Sequence, residues 1–126
     1  MKVVLDTETT GLTRLSFANR ANYHRWPRMV QLAWAKIDDD RIRERLTTLV
    51  RPEGFAIPPE AARIHGIDHD TATDRGIPVR EALKQLQDVF DACDTVIAHN
   101  LNFDLGVIQS EAMRAKLKIE PPAKRL

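Results

Sequence analysis

The chain is 126 residues long, 43% hydrophobic and 29% charged. Length alone implies a single domain over 1–126, and the composition excludes a chain too polar to build a core. Lys and Arg number 19 against 18 for Asp and Glu, so net charge says little about partners. No apolar run approaches the roughly 20 residues that a bilayer crossing needs. Asp6 follows Met1 too soon for a secretory segment. Cys93 is the only cysteine, so no internal disulfide is possible and a reducing, cytoplasmic setting is expected. Cys93 itself reads as a small buried residue on a helix.

Lys2 to Asp6 is a short β-branched run ending at Thr9-Thr10-Gly11, which predicts a buried strand and a turn. Thr13 to Pro27 has no clear period and reads as a long loop. Met29–Ile37 and Ile42–Val50 read as strands, joined by a turn at Asp38-Asp39-Asp40 into an antiparallel hairpin. Pro59 to His65 predicts a short helix stopped by Gly66. Pro78 opens a longer helix, with Val79, Ala82, Leu83, Leu86, Val89, Phe90 and Cys93 along one stripe. Thr95 to Ala98 is a further buried strand. Asn102 or Asn100 then caps a helix reaching about Leu117, and Pro121 to Leu126 reads as a loop. The expected class is α/β with a mixed sheet. Its helices look too few to cover both sheet faces.

Charge is unevenly spread. Between Glu8 and Asp38 there is no acid, while Arg14, Arg20, Arg25, Arg28 and Lys36 alternate with Phe17, Tyr23, His24 and Trp26. Cations interleaved with flat rings suit single-stranded nucleic acid, tracking phosphates and supporting bases. A solvated basic loop is the simpler alternative.

The acids carry the chemistry. Asp6 and Glu8 are two apart on a strand and so project to one side, at its C-terminal end. Carboxylates held that close repel unless a cation lies between them, and hard oxygen donors suit Mg²⁺ or Mn²⁺. Capping of nearby amides would equally explain such a pair. Asp104 falls in the first turn of the helix after the Val96 strand, where the helix dipole favours a carboxylate by about 0.3–1 kcal/mol. If that strand lies beside the Val3 strand, Asp104 faces Asp6 and Glu8.

Asp6-Thr7-Glu8-Thr9-Thr10-Gly11-Leu12 resembles the first motif, DxETTGL, of the DEDD or DnaQ-like superfamily of 3′–5′ exonucleases. Ala98-His99-Asn100 with Phe103-Asp104 resembles its second motif, and Ile64-His65-Gly66-Ile67 resembles the HGI segment that many members carry between the two. The resemblance implies an RNase H-like fold and hydrolysis from a DNA 3′ end, releasing nucleoside 5′-monophosphates by a two-metal mechanism. It makes Asp6, Glu8 and Asp104 catalytic metal ligands for two Mg²⁺ or Mn²⁺ ions. It also places Thr9, Thr10, Gly11, Leu12, His65, Asn100 and Phe103 at the substrate, although Phe103 by itself reads as core. Single-stranded nucleic acid is the implied substrate and a DNA polymerase the implied partner; no membrane is involved.

The family carries a fourth acid and a His or Tyr general base on a later helix. After Asp104 the only acids are Glu111 and Glu120, in neither context. The resemblance therefore covers about the first two-thirds of an exonuclease domain, with C-terminal helices missing, and these residues alone are expected to be nearly inactive. Two alternatives stay open: a catalytically silent domain binding nucleic acid or a polymerase, and an exoribonuclease. His65 and His69 share H-x-x-x-H spacing, but Gly66 and Asp68 break the helix a zinc pair would need, and His69 reads as a surface residue.

Overall fold

The computed structural model describes residues 1–126. Five strands form one mixed sheet in the order β3-β2-β1-β4-β5. The first, β1 (Lys2–Thr9), is central; β2 (Met29–Asp38) and β3 (Arg41–Leu49) make the expected antiparallel hairpin at one side. On the other side β4 (Thr95–Ile97) runs parallel to β1, with Val3 opposite Val96. The remaining elements are α1 (Pro59–His65), α2 (His69–Arg75), α3 (Val79–Asp91), α4 (Leu101–Arg114) and β5 (Lys124–Arg125).

The hairpin turn shows why Asp38-Asp39-Asp40 reverses the chain. Asp39 and Asp40 have φ of 50° and 60°, the doubly left-handed geometry that matches the twist of a two-residue hairpin. Aspartate tolerates it better than most residues because its short side chain interacts locally.

Two corrections concern elements that the sequence did not signal. Asp68 caps a helix instead of only ending one: its carboxylate accepts from Thr71 N at 2.7 Å and starts α2. His69 is half-buried rather than on the surface, its Nδ1 accepting from Ile57 N at 3.3 Å. The tail is the second case. Lys124–Arg125 joins β4 as β5, and Leu126 N donates to Val96 O at 2.9 Å. Two residues are too few to carry a strand pattern, so only the exposed edge of β4 decides this pairing.

The core is one-sided. Val3, Leu5, Leu32, Trp34 and Val96 of the sheet pack against Leu83, Leu86 and Phe90 of α3 and Val107, Ile108 and Ala112 of α4. Cys93 lies just past the end of α3, half-buried against this core, and burial pushes its thiol pKa up. A smaller cluster of Val30, Ile57, Ala61, Ile67 and Ala72 seats α1 and α2. On the face opposite α3 and α4, Val4, Ala33 and Ala35 are only half-buried and Asp6 is exposed. Within these residues α3 and α4 thus cover one face of the sheet, in line with the thin helical cover expected from the sequence.

Trp26 departs from its expected role as a stacking ring. It is buried, its indole lying on Gly106 of α4 with the Phe103 ring 6.3 Å away. The loop before β2 is long, as expected, with one 3-10 turn at Tyr23–Arg25. Glu111, a buried acid of α4, holds its far end. It accepts from Met29 N at 2.8 Å and pairs with Arg28 at 3.2 Å and Arg114 at 3.4 Å. Arg114 in turn donates to the carbonyls of Tyr23 and Trp26 at 2.9 and 2.8 Å. Glu111 therefore fixes the loop, and no part of that role brings it to the acids of β1.

Candidate active site

β1 brings Asp6 and Glu8 to one side because alternate strand residues share a face; Asp6 is opposite Ala33 and Glu8 opposite Gln31 on β2. Thr7 between them points the other way and is buried. β4 ends its pairing with β1 at Ile97, opposite Val4, so the β4-facing edge of β1 is free at Thr7. Asp104 fills that edge. Its Oδ1 accepts from Thr7 N at 3.1 Å and Thr7 Oγ1 at 2.6 Å, in the manner of a ladder carbonyl. A side chain from the first turn of α4 is thereby fixed at the strand position between Asp6 and Glu8.

The electrostatics follow from that placement. Asp104 is 5% exposed. Burial pushes its carboxyl pKa up, the two Thr7 hydrogen bonds hold it down, and the negative charges of Asp6 and Glu8 push it up again. The acids therefore sense one another. Their side chains do not close into a cage: no three acidic, histidine or cysteine groups approach closely enough to hold a metal ion as they stand. Asp6 lies exposed on the open sheet face.

The donor chemistry still fits a hard divalent cation. All donors are carboxylate oxygens, one of them is fixed in place through Oδ1, and desolvation with two negative neighbours is the environment a cation relieves.

Beside the acids is a cleft of 430 Å³ lined by Thr7 to Leu12, by Glu60, Ala61, Ile64 and His65 of α1, and by Phe103 of α4. It gathers most of the residues expected at a substrate. Their local bonding differs from one to the next. Thr9 Oγ1 donates to Gly11 O at 2.6 Å, and Thr10 Oγ1 accepts from Arg28 N at 3.0 Å, so both hydroxyls already serve the turn. A Cβ on Gly11 would meet nothing within 4 Å, which leaves backbone there open to close approach. Leu12 is 92% exposed.

His65 Nδ1 accepts from Ile67 N at 3.1 Å. In a neutral ring Nε2 then carries the proton, and that buried N–H has no partner. Phe103 both packs on the core and lines the cleft. Asn100 is the N-cap residue of α4, one of the two positions expected, but its exposed side chain makes no capping bond and lies outside the cleft lining. Its carbonyl instead accepts from Phe103 and Asp104 N–H and starts α4.

Four cleft residues were not singled out from the sequence: Thr7, Glu60, Ala61 and Ile64. Thr7 was hidden by the period of the strand, which turns it away from its neighbours. Ile64 is 85% exposed, a large apolar side chain beside His65 and facing solvent. The sequence carried it only as the first residue of the Ile64-His65-Gly66-Ile67 segment, with no role of its own. Glu60 follows Pro59 in the first turn of α1, where an acid is ordinary.

A mixed sheet with two acids at the end of its central strand and a third acid from the helix that follows β4 is an RNase H-like arrangement. The chain belongs to the exonuclease (RNase_T) family, whose model matches residues 3–125, and with it to the DEDD 3′–5′ exonuclease superfamily. It is 28% identical over 118 residues to DNA polymerase III PolC-type of Caldanaerobacter subterraneus subsp. tengcongensis, covering 94% of this chain and 8% of that protein. It is 27% identical over 121 residues to DNA polymerase III subunit epsilon of Buchnera aphidicola subsp. Schizaphis graminum, covering 94% of this chain and 48% of that one. The chain thus spans less than half the length of these relatives. Its fold matches E. coli exonuclease I in complex with a 5cy-dA13 oligonucleotide, with a TM-score of 0.79 and 18% identity over 99% of this chain and 27% of that one.

Proposed function

We propose that the chain forms the acid-bearing part of a metal-dependent exonuclease that hydrolyses the terminal phosphodiester at the 3′ end of a single DNA strand. The observation that carries this reading is the double hydrogen bond from Thr7 to Asp104. It fixes a buried carboxylate within electrostatic reach of Asp6 and Glu8, and Thr7 and Glu8 also line the adjoining cleft.

Asp6, Glu8 and Asp104 would hold two Mg²⁺ or Mn²⁺ ions, which supply an activated water and stabilise charge on the attacking and leaving oxygens. Thr7 keeps Asp104 from rotating away, so that Asp6 and Glu8 need only turn towards a fixed partner. Leu12 and Ile64 offer apolar contact to the terminal base from the two sides of the cleft. The unpartnered Nε2–H of His65 donates to an oxygen of the terminal nucleotide. Gly11 lets backbone approach the sugar. The long cation-rich loop favours a single strand. A reducing compartment suits the lone cysteine, and the polymerase III relatives make a DNA polymerase the partner to test first.

The test separates binding from turnover. Calorimetry with Mn²⁺ should show binding that Asp6→Asn and Asp104→Asn abolish. Single-turnover assays with strands labelled at one end or the other should release mononucleotides from the 3′ end alone, and only slowly, because these residues carry no counterpart of the family's fourth acid and general base. Loss of Mn²⁺ binding in Asp6→Ala supports the enzyme, whereas nucleic-acid affinity that Asp6→Ala leaves unchanged or raises, with no metal dependence, would favour a silent binding domain. Release from RNA but not DNA would reassign the substrate.

A further inference from the structure

A second cleft, of 670 Å³, lies between the Tyr23–Arg25 turn and the C-terminal end of α4, remote from the acids. We propose that it holds a more distant part of the same nucleic-acid strand, gripping its phosphates and supporting one base. This rests on the reading above that the chain acts on a single strand.

Charge is the first support. Arg20, Lys116 and Lys118 line the cleft and no acidic residue does. Lys118 is paired with Glu120 at 2.8 Å, outside the lining. Arg20 and Lys116 take part in no ion pair. Tyr23 supplies an aromatic ring, and Met113 an apolar surface beside it. Cations around a ring and an apolar floor are what a sequence-tolerant single-strand site uses.

Position is the second support. Asp104 and Met113 lie on the same helix, nine residues and so about 14 Å apart along its axis. A strand whose 3′ end is at the acids reaches this cleft within a few nucleotides.

Lys116 supplies an independent argument. Leu117 N donates to Ala112 O at 2.8 Å and Lys116 N to Met113 O at 3.2 Å, the paired bonds that close a helix with a left-handed residue. Lys116 is that residue, with φ 57°. Glycine suits such a position best. A lysine there keeps a cation at the cleft against the local backbone preference.

The experiment measures anisotropy of fluorescent oligothymidylates in EDTA, where no turnover occurs, across a salt series. The full chain is compared with Arg20→Ala, Lys116→Gly and the double variant, using a tetranucleotide and a strand four times longer. The expected result is several-fold weaker binding of the long strand only. Its salt slope should fall by about 0.7 for each phosphate no longer neutralised. Lys116→Gly should at the same time raise the melting temperature, which separates weakened binding from impaired folding, and Arg20→Ala on the loop gives a second arm. Unchanged affinity and slope for the long strand would overturn the inference and leave the exonuclease reading standing. Failure of the unaltered chain to bind either strand, in EDTA and again with Ca²⁺ in its place, would overturn both.

Discussion

Thr7 donates two hydrogen bonds to one oxygen of Asp104, from its amide at 3.1 Å and its hydroxyl at 2.6 Å. The bonds join residues 97 positions apart and fix the spacing between β1 and α4 at the point where β4 ends. Thr7→Val keeps the shape and the amide bond but removes the hydroxyl. A buried carboxylate losing one donor costs about 1–3 kcal/mol, read as a lowered urea midpoint. Mn²⁺ affinity should fall with it, since Asp104 is then held by a single bond.

Asp104→Asn should act in opposite directions on stability and on metal binding. The Asp104 carboxyl pKa is raised, first by burial and further by Asp6 and Glu8. An acid with a raised folded pKa favours the folded state below its unfolded pKa, and that contribution is lost as pH rises through the folded value. At neutral pH the charge is therefore a liability. The asparagine can still accept from Thr7, so its melting temperature in EDTA should exceed that of the unaltered chain, while Mn²⁺ no longer binds. Equal melting temperatures at neutral pH would show that the charge is already neutralised within the protein.

Asp68 carries the opposite sign. Hydrogen bonds from Thr71 hold its carboxyl below the ordinary range. A depressed folded pKa gives stability that is present above the unfolded pKa and lost as pH falls through the folded one. Asp68→Ala should lower the melting temperature at neutral pH, and the difference should shrink in acid below the carboxylate range. A difference that is constant with pH would assign the cap no electrostatic part.

Glu111→Ala should be the most damaging of these substitutions. It leaves Arg28 and Arg114 without their anion and Met29 N without its acceptor. Removing one partner of a buried ion pair costs about 3–5 kcal/mol. Both arginines retain some solvent exposure, which places the expected loss at the lower end. Denaturant unfolding measures it.

Gly106→Ala tests the seat of Trp26. A Cβ on Gly106 would collide with the indole ring, and overpacking of this kind in a core costs about 1–3 kcal/mol. The ring must move, so a shift in tryptophan emission should accompany the fall in stability.

Local chemistry made much of this protein readable in advance. The β-branched run at Lys2–Asp6, the aspartate turn and the apolar stripe from Val79 each place an element through the period or the turn preference of neighbouring residues. Asp6 and Glu8 share a side for the same reason, and their match to a known motif rests on adjacent positions. The two-residue β5 and the Asp68 cap were not legible, because the first is set by the open edge of β4 and the second by a single side chain meeting an amide. Trp26 was misread for a related reason. A ring in a basic loop looks available until Gly106 on another element offers it a flat surface.

What the sequence determined by itself was which residues carry charge and which stretches become strand or helix, since both depend on interactions within a few positions. The tertiary structure decided which distant groups meet. Asp104 reaches Thr7 only because β4 pairs in parallel with β1 and stops short. Glu111 is buried among arginines and not beside the other acids only because α4 runs away from the end of β1. Neither relationship leaves a local signal, because bringing such groups together depends on the sheet and helix packing that the whole chain stabilises.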